Sequence, residues 1–141
     1  MIISTSNAQI KELAKLQKKS RLRDEKGIFL VEGPRMTEEI PAERIEKVYA
    51  SESFAKKNKE FLERLQAPVE LLTDTVFAYV SDTKTPQGIL AIVKRLDYTM
   101  KDLMQVKDQK APHLIVLDNL QDPGNLGTIF RTAEAAGVTG I

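Results

Sequence analysis

Short apolar runs rich in β-branched residues recur along this chain, each separated from the next by a stretch of helical period, and that alternation constrains the fold more than any other feature. Ile28-Phe-Leu-Val31 reads as a buried strand ending at Glu32-Gly33-Pro34. Ile45–Ala50, Val69–Leu72 and Gly88–Lys94 read as three more. Before the first, Ile10, Leu13 and Leu16, with Ala14, form an apolar stripe to about Lys19, and Ser4–Asn7 supply possible caps. Pro34 suits the first turn of a short helix to about Ile40, which Pro41 closes. Ser51 or Ser53 can cap a helix carrying Phe54, Phe61, Leu62 and Leu65, and Thr73 or Asp74 can cap Thr75–Val80. Ser20–Gly27 reads as a polar break and Ser81–Gln87 as a polar loop. Helical crossovers are the usual connection between parallel strands, so residues 1–95 are expected to form a small three-layer α/β/α domain on a mostly parallel sheet.

Residues 96–112 are charged and weakly patterned, with at most a short helix near Thr99–Met104, and read as a linker. From residue 113 the pattern sharpens again. Leu114–Leu117 has the length and β-branching of a strand, Asp118–Gly124 is rich in turn formers, and Leu126, Ile129, Phe130, Ala133 and Ala136 mark one buried face of a helix that Gly137 stops. The first N–H groups of such a helix are unpaired and can meet a phosphate, a carboxylate or a cap supplied by Asn125 or Asp122. Arg131 lies about 120° round the helix from Asn125 and off the buried face, so its guanidinium is expected in solvent. A capped helix with an ordinary solvated arginine accounts for the same spacing. Glu134, on the neighbouring turn, can pair with Arg131, and a plain surface ion pair is the simpler meaning of that pair.

The 141 residues carry a formal net charge of only +1, but the charge is uneven. Between Lys11 and Lys26 seven cations face three anions, as phosphate binding needs and as a solvated helix face also provides. There is no cysteine, which excludes disulfides, thiolate metal sites and a cysteine nucleophile. The single histidine, His113, cannot build a metal site alone and reads as a strand-edge residue. Ile89–Val93 and Leu114–Leu117 are too short to cross a bilayer and the N-terminus lacks signal-peptide layout, so the expectation is a cytoplasmic protein with neither membrane nor metal partner.

The run Asp122-Pro-Gly-Asn125-Leu-Gly127-Thr-Ile-Phe-Arg131-Thr-Ala-Glu134-Ala-Ala-Gly137 resembles the first signature motif of the SpoU (TrmH-type) RNA 2′-O-methyltransferases. Lys18–Arg23, Gly27–Arg35 and Ser81–Val93 resemble the substrate-binding domain that precedes the catalytic domain in that family, a domain with a fold like small ribosomal RNA-binding α/β proteins. Glu32-Gly33 also reads as a turn that fixes a strand end. The resemblance implies methyl transfer from S-adenosylmethionine to a ribose 2′-hydroxyl of RNA, ribosomal in preference to transfer RNA. It places Asn125 and Arg131 at the reaction centre, where Glu134 by its spacing is the supporting candidate, and makes residues 113–141 the first strand, loop and helix of a SPOUT-type knotted domain. A guanidinium is a reluctant base, so Arg131 is expected to grip a phosphate and orient the hydroxyl, with Asn125 holding the loop and hydrogen-bonding the ribose or Arg131, or else plainly capping the helix. RNA capture is expected from Lys18, Lys19, Arg21, Arg23 and Arg35, with Thr85 and Gln87 in the loop.

Val138–Ile141 reads as the beginning of another strand. The chain is therefore expected to be an N-terminal portion of a homodimeric enzyme, inactive alone, whose S-adenosylmethionine site lies in later sequence. The competing expectation is a non-catalytic RNA-binding module. A nucleotide-binding loop has little support, since neither G-x-x-x-x-G-K-[ST] nor G-x-G-x-x-G is present.

Overall fold

The computed structural model describes residues 1–106 and 111–141, which fall into two compact units, Met1–Arg95 and Leu96–Ile141. The part of the expected linker at residues 107–110 lies outside the described residues. The first unit runs α1 (Ala8–Lys18), α2 (Ser20–Lys26), β1 (Ile28–Glu32), α3 (Pro34–Glu38), β2 (Ile45–Ser51), α4 (Glu52–Lys57), α5 (Lys59–Arg64), β3 (Val69–Leu72), α6 (Asp74–Val80) and β4 (Ile89–Lys94). Asn7, Ser51 and Thr73 are the side chains that cap α1, α4 and α6.

Two local expectations are corrected. Ser20–Gly27 is no break but α2, closed by Gly27 in the left-handed region at φ 62°. Its polar composition hid it, because Leu22 alone reaches the core. The helix expected after Ser51 is two, α4 and α5. Asn58 leaves helical geometry between them, and its side-chain amide donates to the Phe54 carbonyl.

The sheet is mixed rather than mostly parallel, in the order β1-β4-β2-β3. β2 and β3 pair in parallel, whereas β4 lies antiparallel to both β1 and β2. Strands β1, β2 and β3 therefore share one direction, as crossover helices require, and β4 is the exception. It starts at the edge where the other three end: the Gly33 N–H donates to the Ile89 carbonyl at 3.0 Å and the Ser51 N–H to the Gly88 carbonyl at 2.8 Å. From there it can only run back between β1 and β2.

Alternation along each strand fills both faces. Ile28, Tyr49, Leu90 and Ile92 join Ile10, Leu13, Leu16 and Phe77 on one side; Val31, Val48, Ala91 and Val93 meet Phe54, Phe61, Leu62 and Leu65 on the other. Central β4, covered on both faces, accordingly reads as a continuous apolar run. At the far edge Ile2 pairs in parallel with Leu72, an addition the sequence pattern did not show.

The second unit contains α7 (Met100–Leu103) and α8 (Pro123–Ala135). The expected strand Leu114–Leu117 reduces to one parallel bridge, Leu114 to Gly140, and Val116 is 90% exposed. A strand is sustained by a ladder, and here only Thr139 and Gly140 supply partners among the described residues. Phe130 is 49% exposed instead of buried. It lies about 40° beyond Leu126 at the rim of a narrow face centred on Ala133, the one residue of α8 that is fully buried. Among the described residues no helix is long and apolar enough to cross a membrane.

Candidate functional site

The carboxyl ends of β1, β2 and β3 and the start of β4 share one edge, the place where open α/β sheets characteristically receive ligands. Glu32, the last residue of β1, organises it. Its carboxylate accepts from the Ser81 hydroxyl at 2.8 and 2.9 Å, the Thr83 hydroxyl at 3.0 Å and the Gln87 N–H at 3.3 Å. The loop between α6 and β4 is thereby fastened to β1. Two glycines permit the approach. Gly33 sits at φ 108° with the Gln87 side chain 2.8 Å from where a Cβ would stand, and Gly88 sits at φ 81° with Phe54 Cβ at 2.7 Å.

Beside the loop, between α4 and α6, lies a cavity of about 310 Å³ bordered by Ser51, Phe54, Lys57, Asn58, Asp74 and Gln87. Asp74 accepts from the Ser53 hydroxyl at 2.8 Å and the Ser53 N–H at 3.2 Å, and these bonds hold its carboxyl below the ordinary aspartate value of 3.8. The Glu32 and Asp74 carboxylates thus face protein donors, while Asp82 in the loop is exposed without a side-chain partner among the described residues. The cations of this edge, Arg35 in the first turn of α3, Lys57 and Lys84, are exposed too, and their side chains form no hydrogen bond or ion pair among the described residues. Thr85 is exposed at the loop, and Gln87 joins Glu32 and Gly33.

The remaining residues expected to bind RNA lie elsewhere in the unit, on the α1–α2 hairpin. Lys18 and Lys19 are exposed at its turn, and Arg21 is exposed and paired with Glu25 at 2.9 Å. Arg23 is engaged within the hairpin. Its guanidinium, half-buried, donates to the carbonyls of Leu16 at 2.6 Å and Gln17 at 2.9 Å, closing the end of α1. The reversal at Lys19–Ser20 folds α2 back, so these unpaired carbonyls meet Arg23 before solvent does. Lys26 is engaged too: Glu12 lies 2.9 Å away, and its hydrogen bond and charge push the Lys26 ammonium pKa up. Lys15, Lys19 and Arg21 line a groove of about 720 Å³ between the two helices.

In the second unit the chain forms a minimal strand–loop–helix–strand. Thr139 N–H donates to the His113 carbonyl at 2.7 Å and Ile115 N–H to the Gly140 carbonyl at 3.0 Å, which places His113 at a strand edge. Of the two candidate caps, Asp122 takes the position, accepting from the Asn125 N–H at 2.6 Å. The Asn125 side chain is left exposed on the first turn. At the other end Gly137, φ 72°, forms a Schellman closure in which Val138 N–H reaches the Ala133 carbonyl and Gly137 N–H that of Glu134. Arg131 is exposed, and its guanidinium donates to the Thr128 hydroxyl at 3.2 Å, which donates in turn to the Gly124 carbonyl at 3.0 Å. The pair expected with Glu134 is not formed. Helical side chains lean toward the N-terminus, and the guanidinium finds Thr128 a turn earlier.

Sequence reasoning read Glu32-Gly33 as a turn and Asp74 as a possible cap, and did not single out Lys57 or Thr128. The partners of Glu32 and Asp74 lie on other elements and that of Thr128 a turn away, and no local pattern marks them.

Residues 7–91 match the family model of the MRM3-like substrate-binding domain. The chain is 32% identical over 143 residues to the 23S rRNA (guanosine(2553)-2′-O)-methyltransferase RlmP of Bacillus subtilis, covering 99% of this chain and 52% of that protein. It is 34% identical over 134 residues to the mitochondrial rRNA methyltransferase 3 of Homo sapiens, covering 87% of this chain and 30% of the relative. Its fold superimposes on the AdoMet-bound rRNA methyltransferase of Sinorhizobium meliloti with a TM-score of 0.67 at 26% identity, over 97% of this chain and 51% of that one. The chain thus spans about half the length, or less, of the relatives it matches.

Proposed function

This chain belongs to the SpoU (TrmH-type) RNA methyltransferases that carry an MRM3-like substrate-binding domain, and on that premise we propose that it holds RNA for methylation of a ribose 2′-hydroxyl, with ribosomal RNA as substrate and S-adenosylmethionine as donor. The first unit is the RNA-holding domain. The second opens the catalytic domain. The observation that carries this reading is the exposed guanidinium of Arg131, tethered to Thr128 on a helix whose entry is capped from the loop by Asp122.

A 2′-hydroxyl is a weak nucleophile, and the protein's task is to align it and favour loss of its proton. Arg131 offers a planar, cationic fork of N–H donors. Its role is to bind the phosphate beside the target ribose in bidentate fashion, so that the hydroxyl is presented in one orientation. The amide of Asn125, free of capping duty, hydrogen-bonds the ribose. Glu134 lies on the same helix and contributes negative field without touching Arg131.

The described residues of the second unit do not fit the methyl donor. The Asn125 N–H at the helix entry is taken by the Asp122 carboxylate, and Val116 and Leu120 around the loop are exposed rather than folded over a cavity. The chain by itself is therefore expected to bind RNA without turnover. In a methyl-transfer assay on ribosomal RNA with the whole enzyme, Arg131→Ala should lower the rate by about 100-fold or more while RNA affinity stays within several-fold. A rate unchanged by the substitution would remove Arg131 from the reaction centre.

A further inference from the structure

The carboxyl edge presents a conflict. An RNA-holding surface should repel anions, yet its most connected residue is a glutamate. Glu32 accepts hydrogen bonds from three donors, the Ser81 and Thr83 hydroxyls and the Gln87 N–H, all from one loop. A carboxylate oxygen has about two lone-pair sites, so the three donors that converge on Oε1 fill it, and the Ser81 hydroxyl is shared with Oε2. The same loop has no helix or strand between Val80 and Ile89; apart from the Thr83 N–H bond to Ser81 and the backbone anchors at its two ends, Ser81 N–H to the Phe77 carbonyl and Ser51 N–H to the Gly88 carbonyl, the hydrogen bonds that order it go to Glu32. At its far end Gln87 closes over Gly33, whose φ of 108° excludes other residues.

We propose that Glu32 is the positioning residue of the RNA-receiving edge: its carboxylate gathers the loop 81–88 into the form that presents Thr85 and Gln87 to RNA beside Arg35. The inference rests on the RNA-holding function proposed for this unit. Charge-assisted hydrogen bonds to an anion are about twice as strong as neutral ones, which is the physical reason for a carboxylate rather than an amide at this position. The loop's donors turn that charge inward, and the surface facing RNA keeps the unpaired cations Arg35, Lys57 and Lys84.

This inverts the ordinary electrostatic expectation. Removing an anion from a phosphate-binding face should tighten binding; removing Glu32 should loosen it. The test uses this chain, a fluorescein-labelled stem–loop RNA of mixed sequence and trypsin, which cleaves after the exposed Lys84. Glu32→Ala should raise the RNA Kd about tenfold, leave the salt dependence of binding unchanged because every cation is kept, and speed cleavage at Lys84 several-fold. Glu32→Gln, whose remaining oxygen still accepts, should fall between. Ser81→Ala with Thr83→Val removes the donors while leaving the carboxylate, and should reproduce the Glu32→Ala effects in a chain with an intact β1 end.

Tighter or equal RNA binding by Glu32→Ala, or cleavage at Lys84 no faster than in the unaltered chain, overturns the positioning role. So does an RNA Kd unmoved by the Ser81/Thr83 pair. Failure of the unaltered chain to bind the RNA is a different result, and it is the RNA-holding function that it overturns.

Discussion

The α1–α2 hairpin and the carboxyl edge of the sheet treat charge in opposite ways. On the hairpin the cations are partly engaged: Arg23 closes α1, Arg21 pairs with Glu25, and Lys26 pairs with Glu12, leaving Lys11, Lys15, Lys18 and Lys19 without side-chain partners among the described residues. At the edge Glu32 is engaged by the loop and Asp74 by Ser53, while Asp82, Arg35, Lys57 and Lys84 stay unpaired among the described residues. A surface is therefore basic by what its fold leaves over, not by what its sequence contains. Among the described residues the hairpin keeps four free cations among engaged ones, and the edge keeps three beside engaged carboxylates.

Charge reversal tests the contrast most directly. Arg35→Glu with Lys84→Glu should weaken RNA binding by about 100-fold, and Lys18→Glu with Lys19→Glu by about tenfold. Each should flatten the salt dependence by roughly 0.7 for every phosphate no longer neutralised, read in a titration at several salt concentrations. Equal effects of the two pairs would erase the distinction between the regions. Arg23→Ala belongs to the hairpin by position but not by role. Its expected effect is a loss of about 1–3 kcal/mol in urea unfolding, with RNA affinity changed less than about twofold. A large affinity loss at unchanged stability would return Arg23 to the binding surface.

The smallest expected effect concerns Asp74. Because its carboxyl pKa is depressed in the folded protein, the bonds to Ser53 add stability that is present above the ordinary value of 3.8 and lost as pH falls through the depressed value. Asp74→Asn should remove that part of the acid sensitivity, read as a shallower fall of thermal stability below about pH 4, with neutral-pH RNA binding little altered. An unchanged acid profile would show that the bonds carry no linkage.

Much of the molecule was legible because it is local. Short apolar runs rich in β-branched residues located all four strands of the first unit, and their alternation with helical segments foretold a sheet covered on both faces. The stop at Gly137 follows from one glycine placed after a helical period, and the exposure of Arg131 from its angle on α8. Where local signals conflicted, the result was ambiguous or wrong: α2 carries a single core residue, Asn58 splits a helix, and Leu114–Leu117 has strand composition without strand partners.

The sequence by itself determined the four strands of the first unit, most of its helices and which residues carry the family's motif, since each depends on neighbours within a few positions. Tertiary structure alone decided that β4 enters the middle of the sheet reversed, that Arg23 closes a helix, and that Glu32 holds a loop 49 to 55 residues away. The physical reason is range. A strand's partner and a carboxylate's donors are chosen by the closure of the whole core, and that competition leaves no periodic trace in the chain.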